Sequence, residues 1–401
     1  MWELDSSLKF TPEGDQEFFS QLPPRPGVCL IFSNEASAEP YLIRTADLRR
    51  RLERLLGTPD PTSKRLNLRD FARLARYRET GSAFEQALVY YYNAKRMFPN
   101  RYRQLIRLRP APVLKINLNN TYPRCFVTRR IALNEQGEPV SGVYYGPFKS
   151  RRVAEGFADK ILDFFKVRRC QIKIRRDPAY PGCLYSEMKM CLAPCFAGCT
   201  KEEYDREVDR LVAFLNTNSL SLHETLAQER EVASEQMDYE KAAAIHKKLE
   251  KLDDVLRGKP ELSRRIQNLD AVVLQRAVEE HTVAFFAIHR GRFADSFQLK
   301  FGDTGKPAPA EETLRDHLEG VPGATAAVNV NPKLSAAELG EHLALLSRWF
   351  FSNPREGEIF FREKDWPYRR ILRACSRLLS RKENPEESGS AAGQAQNEET
   401  K

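Results

Sequence analysis

Two hydrophobic patterns alternate along the chain. Short apolar runs fenced by Pro and Gly predict strands, and longer stretches with apolar residues every three or four positions predict helices. Residues 22–34 (LPPRPGVCLIFSN) and 40–43 (PYLI) read as the two strands of a hairpin. Residues 47–56 follow as a helix, with Leu48, Leu52, Leu55 and Leu56 on its buried stripe and Arg49, Arg50 and Arg54 projecting elsewhere. Arg51 borders that stripe and is expected to be partly buried beside Tyr41. A second helix is predicted from Ser82 to Met97, stopping before Pro99. Strand patterns return over 112–148 (VLKINL, CFVTRRIAL, VYYGPF), then an amphipathic helix over 151–167. A loop-rich stretch fills 168–200, helices 201–216 and 220–257, a three-stranded meander 270–301, and a last helix 335–351. Strands and helices fall in separate blocks, which predicts an α+β multidomain protein. Its units are a small α/β domain at 15–105, a strand-and-helix region with clustered cysteines at 106–219, a helical hairpin at 220–257 and a small α+β segment at 266–365. Residues 383–401 have three alanines as their only apolar residues and are expected to be disordered.

Composition narrows the function classes. At 401 residues the chain exceeds one typical core. No apolar run approaches the ~18–20 residues of a spanning helix, so no membrane association is expected. The N-terminus shows no basic region followed by an apolar one, so a cytoplasmic, reducing location is expected, where eight cysteines stay reduced. The formal net charge of +9 permits nucleic-acid binding without demanding it.

Five of the eight cysteines fall within 168–200. Cys170, Cys183, Cys191 and Cys195 follow a C-x12-C-x7-C-x3-C spacing, and Cys199 comes next. Arg168, Arg169, Lys173, Arg175 and Arg176 crowd the first of them, and nearby cations favour thiolates. Four thiols on a loop scaffold can hold zinc or an iron–sulfur cluster, or be unconnected buried thiols, and spacing alone does not choose. In the helical hairpin, Ala242, Ile245, Leu249, Leu252 and Leu256 recur as a coiled-coil seam, with Asp238 as N-cap before Tyr239. Such a hairpin either packs on its own domain or takes a partner.

These residues together resemble the UvrC family, one of the components of the UvrABC excinuclease of bacterial nucleotide excision repair, from about Leu22 to Phe361. LPPRPGVCLIF and YLIRTADLRRRL resemble that family's GIY-YIG nuclease opening, and FEQALVYYYNAKRMFPNRY resembles its metal-binding helix. LNNTYPRCFVT and YYGPFKS follow in the family's order. The four cysteines match the family's cluster, which implies an iron–sulfur cluster, 4Fe-4S by resemblance, with zinc as the alternative. EREVASEQMDYEKAAAIHKKLEKL resembles the UVR motif, which implies UvrB as partner through Tyr239, Ala242, Ile245, Leu249 and Leu252. LDAVVLQ and FFAIHRGRFADSF resemble the segment leading into the second, RNase H-like nuclease of UvrC, which is expected to be missing.

Departures from the family pattern carry the functional expectation. GIY-YIG nucleases hydrolyse a phosphodiester with one divalent metal, an activating Tyr, an Arg that stabilises developing charge, and a metal-binding Glu. The resemblance places Tyr41 and Arg51 at the tyrosine and arginine positions. Cys29 replaces a tyrosine, Ile43 replaces a glycine, and Tyr90 stands where the metal carboxylate belongs. A phenol is a poor magnesium ligand at neutral pH. Glu85 lies five residues earlier, rotated roughly 140° from Tyr90, and should face away. Arg44, Arg49, Arg50 and Arg54, with Lys149, Arg151 and Arg152, are candidates to neutralise phosphates of a damaged duplex, or only solvated surface. The expectation is a UvrC-like repair protein that binds DNA and UvrB without nuclease activity. The alternatives are a single-incision nuclease with a rearranged metal site, in which Glu85 takes over, and a metal-responsive DNA-binding protein.

Overall fold

The computed structural model describes residues 2–35, 38–59, 62–217, 219–302, 310–319 and 335–380, so the expected tail at 383–401 lies outside the described residues. The chain is mixed α and β in separate blocks, built on three four-stranded sheets.

The first block contains β1 (Ser6–Lys9), α1 (Asp15–Gln21), β2 (Gly27–Phe32), β3 (Tyr41–Thr45), α2 (Leu48–Leu56), β4 (Leu74–Glu79), α3 (Ala83–Met97) and α4 (Tyr102–Ile106). The expected hairpin forms, with Cys29 opposite Ile43 and Ile31 opposite Tyr41. The sheet order β1-β4-β2-β3 adds two strands that periodicity did not reveal. Helix α2 is capped by Asp47, whose carboxylate accepts from the Arg50 N–H at 2.9 Å. Its stripe of Leu48, Leu52, Leu55 and Leu56 is buried against one sheet face with Cys29, Ile31, Ile43 and Tyr77. Gly27 is needed where α2 meets the sheet, since a Cβ there would stand 2.5 Å from the Arg78 carbonyl oxygen. Helix α3 starts where expected, is capped by Ser82, and packs on β2 and β3. Its Gln86 side chain donates to the carbonyls of Gly27 and Thr45.

The second block has β5 (Val113–Ile116), β6 (Cys125–Thr128), β7 (Val143–Gly146), α5 (Arg151–Leu162), α6 (Leu184–Glu187), α7 (Lys201–Asn216), α8 (Leu220–Glu235), α9 (Tyr239–Arg257) and the short return strand β8 (Arg264–Arg265). The sheet order is β6-β5-β7-β8, so β6 is an edge. The helix expected over 151–167 stops at Leu162. Beyond it Phe165 and Val167 are both buried, a spacing of two that suits non-helical chain better than a helix. Helices α5, α7, α8 and α9 share one core, and Lys251 of α9 reaches Asp163 at 2.9 Å.

The third block has β9 (Ala271–Arg276), β10 (Thr282–His289), β11 (Arg292–Lys300), α10 (Ala310–Glu319), α11 (Ala336–Phe350), β12 (Glu358–Phe361) and α12 (Tyr368–Ser380). The predicted meander forms and gains β12 beside β9. This block does not stand apart from the first. Phe84, Leu88 and Tyr91 of α3 share a core with Val273, Phe286, Leu343 and Trp349. At that junction the buried Glu341 carboxylate accepts hydrogen bonds from the Tyr91 hydroxyl at 2.8 Å and the Tyr102 hydroxyl at 3.1 Å. Lys95 pairs with Glu338 beside it. His342 accepts at Nδ1 from the Phe293 N–H at 3.2 Å, leaving Nε2 to donate toward the Tyr92 hydroxyl at 3.4 Å.

Candidate functional site

Three successive tyrosines give α3 two jobs. Tyr91 and Tyr92 face α11, while Tyr90 turns toward β3, where the Arg44 guanidinium lies 5.5 Å over its ring. Burial holds the Tyr90 phenol above its ordinary range; Arg44 opposes this and Tyr41 weakly reinforces it. A neutral phenol is a poor ligand for a divalent cation, and the guanidinium over it repels one. The carboxylate of Glu85 is elsewhere. It is 3% exposed, accepts from the Gly81 N–H at 2.9 Å and lies 3.6 Å from Arg78, so it closes its own helix N-terminus. Burial raises its pKa, with the Gly81 N–H and Arg78 opposing.

Tyr41 packs at the margin of the core on the α2 side, where Cys29 and Ile43 are buried. Burial pushes the Cys29 thiol far up, leaving it an inert apolar group. Arg51 is half-buried as expected, and its Nε is buried without a hydrogen-bond partner. Arg44 and Arg51 lie on opposite sides of the sheet, since Arg44 meets α3 and Arg51 sits in α2. Among the described residues, no three His, Cys, Asp or Glu side chains converge into a ready metal site here or anywhere else.

The four cysteines of the predicted cluster do come together. Cys170, Cys183, Cys191 and Cys195 line one cavity of about 180 Å³, with Arg168 and Arg169 in its wall and Ile172, Leu184 and Tyr180 at its apolar side. Cys199 is buried and outside that lining. The loops are shaped by left-handed residues at Lys189, Ala193 and Ala197. Arg168 fixes the first turn, donating to the carbonyls of Tyr122, Cys170 and Ile172. Burial raises the Cys191 thiol to about 11, and the three other thiols push it the same way. The donor set fits a thiophilic group, because four sulfurs and two guanidiniums line the cavity and no carboxylate does.

The remaining candidates divide by exposure. Arg44, Arg50, Arg54, Lys149, Arg151 and Arg152 are exposed. Arg49 is not a free cation for phosphate, since it donates to the carbonyls of Leu22 at 2.7 Å and Ser20 at 3.2 Å, tying α1 to α2. Arg151 pairs with Glu155 at 2.7 Å. In the hairpin, the residues expected to face a partner divide as well. Ile245, Leu249 and Leu252 are buried in the chain's own core, and Ala242 is partly buried against it. Tyr239 is 68% exposed, and Met237 beside it 74%. The seam therefore closes the hairpin onto its own domain, and the hairpin's most exposed large apolar side chains stand at the tip. Sequence reasoning named Tyr239 and Arg169 but missed Met237 and Arg124, which carry no periodic signal.

Residues 111–214 match the UvrC/Cho excinuclease middle domain. The UvrABC system protein C of Dehalococcoides mccartyi is 28% identical over 295 residues, covering 73% of this chain and 47% of that protein. Its counterpart in Carboxydothermus hydrogenoformans is 28% identical over 359 residues, covering 86% and 56%. That of Clostridium acetobutylicum is 25% identical over 339 residues, covering 82% and 51%. The chain thus spans about half the length of the curated relatives it matches. No solved structure matches it. The chain thus carries a region that matches the UvrC/Cho middle domain, and its similarity to UvrABC system protein C relatives extends well beyond that region.

Proposed function

We propose that this protein acts in nucleotide excision repair by binding DNA and UvrB, with an N-terminal GIY-YIG-like module that does not cut. The observation that carries this reading is the Tyr90 phenol under Arg44 at the position where the resemblance expects a metal carboxylate. Arg44, Arg50 and Arg54 remain exposed and supply phosphate contacts without hydrolysis. The single-incision alternative needs Glu85 to hold magnesium, yet Glu85 is engaged by Gly81 and Arg78. Cys170, Cys183, Cys191 and Cys195 would hold the 4Fe-4S cluster or zinc. Either group, once bound, would cross-link the loops rather than perform hydrolysis. UvrB would dock on the hairpin tip around Met237 and Tyr239, the hairpin's most exposed large apolar side chains. The test is incubation with a damaged duplex, UvrA, UvrB, ATP and magnesium. Binding without 3′ incision is expected, and incision lost in Tyr41→Phe or Glu85→Gln would refute the reading.

A further inference from the structure

A second cavity, polar and open, lies between the edge strand β6 and helix α5. It measures about 460 Å³ and is lined by Arg124, Phe126, Arg151, Asp159, Arg169 and Gln171, among others. Arg124 lies 4.1 Å over the Phe126 ring. Stacking on the ring face leaves the in-plane N–H fork of a guanidinium pointing outward, the geometry that grips phosphate oxygens. Among the described residues, no carboxylate pairs with that fork. The titratable groups that act on it are Arg168 and the cysteines Cys170 and Cys125, none of them a carboxylate. Arg169 supplies a second, independent sign of a missing acceptor. One of its terminal nitrogens is held by Asp163 at 2.8 Å, but its Nε is buried with no partner. Glu155 is neutralised by Arg151 at 2.7 Å, which leaves Asp159 as the groove carboxylate without a cation among the described residues. The edge position of β6 adds backbone groups that have no neighbouring strand.

We infer that this groove binds the phosphodiester backbone of a nucleic acid, with Arg124 as the anchoring donor, Arg169 as the second, and Asp159 limiting the site at one end. The inference rests on the DNA-binding reading above and assigns it a place that the arginines of α2 do not occupy. Arg169 also lines the cysteine cavity, so the two spaces share a wall. Seating a group among the thiols would therefore move one lip of the groove.

The experiment uses the full chain and labelled single-stranded and duplex oligonucleotides, followed by fluorescence anisotropy across a salt series. Arg124→Gln is expected to weaken binding about tenfold and to make the log–log salt dependence shallower by about one. Asp159→Asn, at an exposed position that leaves folding intact, is expected to tighten binding several-fold. Inorganic phosphate and a mononucleotide are titrated in parallel and are expected to compete only weakly. If either binds as tightly as the oligonucleotides and Arg124→Gln abolishes both, the site is for free phosphate and the nucleic-acid assignment is overturned. If both variants bind oligonucleotide as the unmodified chain does, the groove is not the site, while DNA binding itself stands. If the unmodified chain binds no oligonucleotide at all, the underlying DNA-binding reading falls with it.

Discussion

Replacing Leu252 and replacing Tyr239 should do opposite things, although both lie in the same hairpin. Leu252 is fully buried in the core shared by α5, α7, α8 and α9. Truncation to Ala removes its transfer free energy and leaves a cavity that four packed helices cannot collapse, at a cost of about 2–5 kcal/mol. Because α9 is anchored to the rest of the block by its buried face and by Lys251–Asp163, that loss should appear as local opening. Amide hydrogen exchange in α8 and α9 should accelerate by roughly 30-fold to several thousand-fold, since each ~1.4 kcal/mol is a decade. Tyr239 at 68% and Met237 at 74% exposure have little folded-state packing to lose, so Ala there should change stability by about 0.5 kcal/mol or less. As apolar anchors of a partner interface, the same substitutions should weaken UvrB capture about 30-fold. Capture by the tip variants equal to that of the unmodified chain, together with unchanged exchange in Leu252→Ala, would refute this orientation of the hairpin.

Three further outcomes follow from the same structure. Burial, aided by Lys95 and Arg292, lowers the His342 pKa from 6.5 to about 3. The unfolded chain therefore takes up a proton that the folded chain refuses. Stability is intact above pH 6.5 and falls as pH drops toward 3, by about 2 kcal/mol at pH 5. Urea titrations at pH 7.5 and pH 5 should show that component vanish in His342→Gln, and an identical pH response in the variant would contradict it. Cys191→Ser should cut the metal content of anaerobically purified protein and bleach any absorbance near ~400 nm, whereas Cys199→Ser should not, because only Cys191 lines the cavity; equal loss in both would move the ligand set. Gly27→Ala should destabilise the first block by about 1–3 kcal/mol in thermal unfolding, because the obstructing Arg78 oxygen is backbone and cannot rotate away. An unchanged melting temperature would show that the sheet yields.

What the residues could announce alone was local. The hairpin of β2 and β3, the buried leucine stripe of α2, the start of α3 near Ser82, the Asp238 cap and the meander of β9–β11 all follow from periodicity and capping chemistry, because neighbours in sequence are enough to express them. The four cysteines were legible as a set because they lie close along the chain. Strand β4 was not, since LARYRE buries only Ala75 and Tyr77, with Arg76 between them and Arg78 after. Periodicity says that one face of a helix is buried, but not against what. Only the tertiary structure decided that Leu249 and Leu252 close on α8 and α5, within the chain's own core, rather than on a partner. It also decided that Tyr91 reaches Glu341 across 250 positions while Tyr90 turns the other way. The groove at Arg124 belongs to the same class, because an unpaired guanidinium becomes a site only when an edge strand, a helix and a distant loop are folded around it.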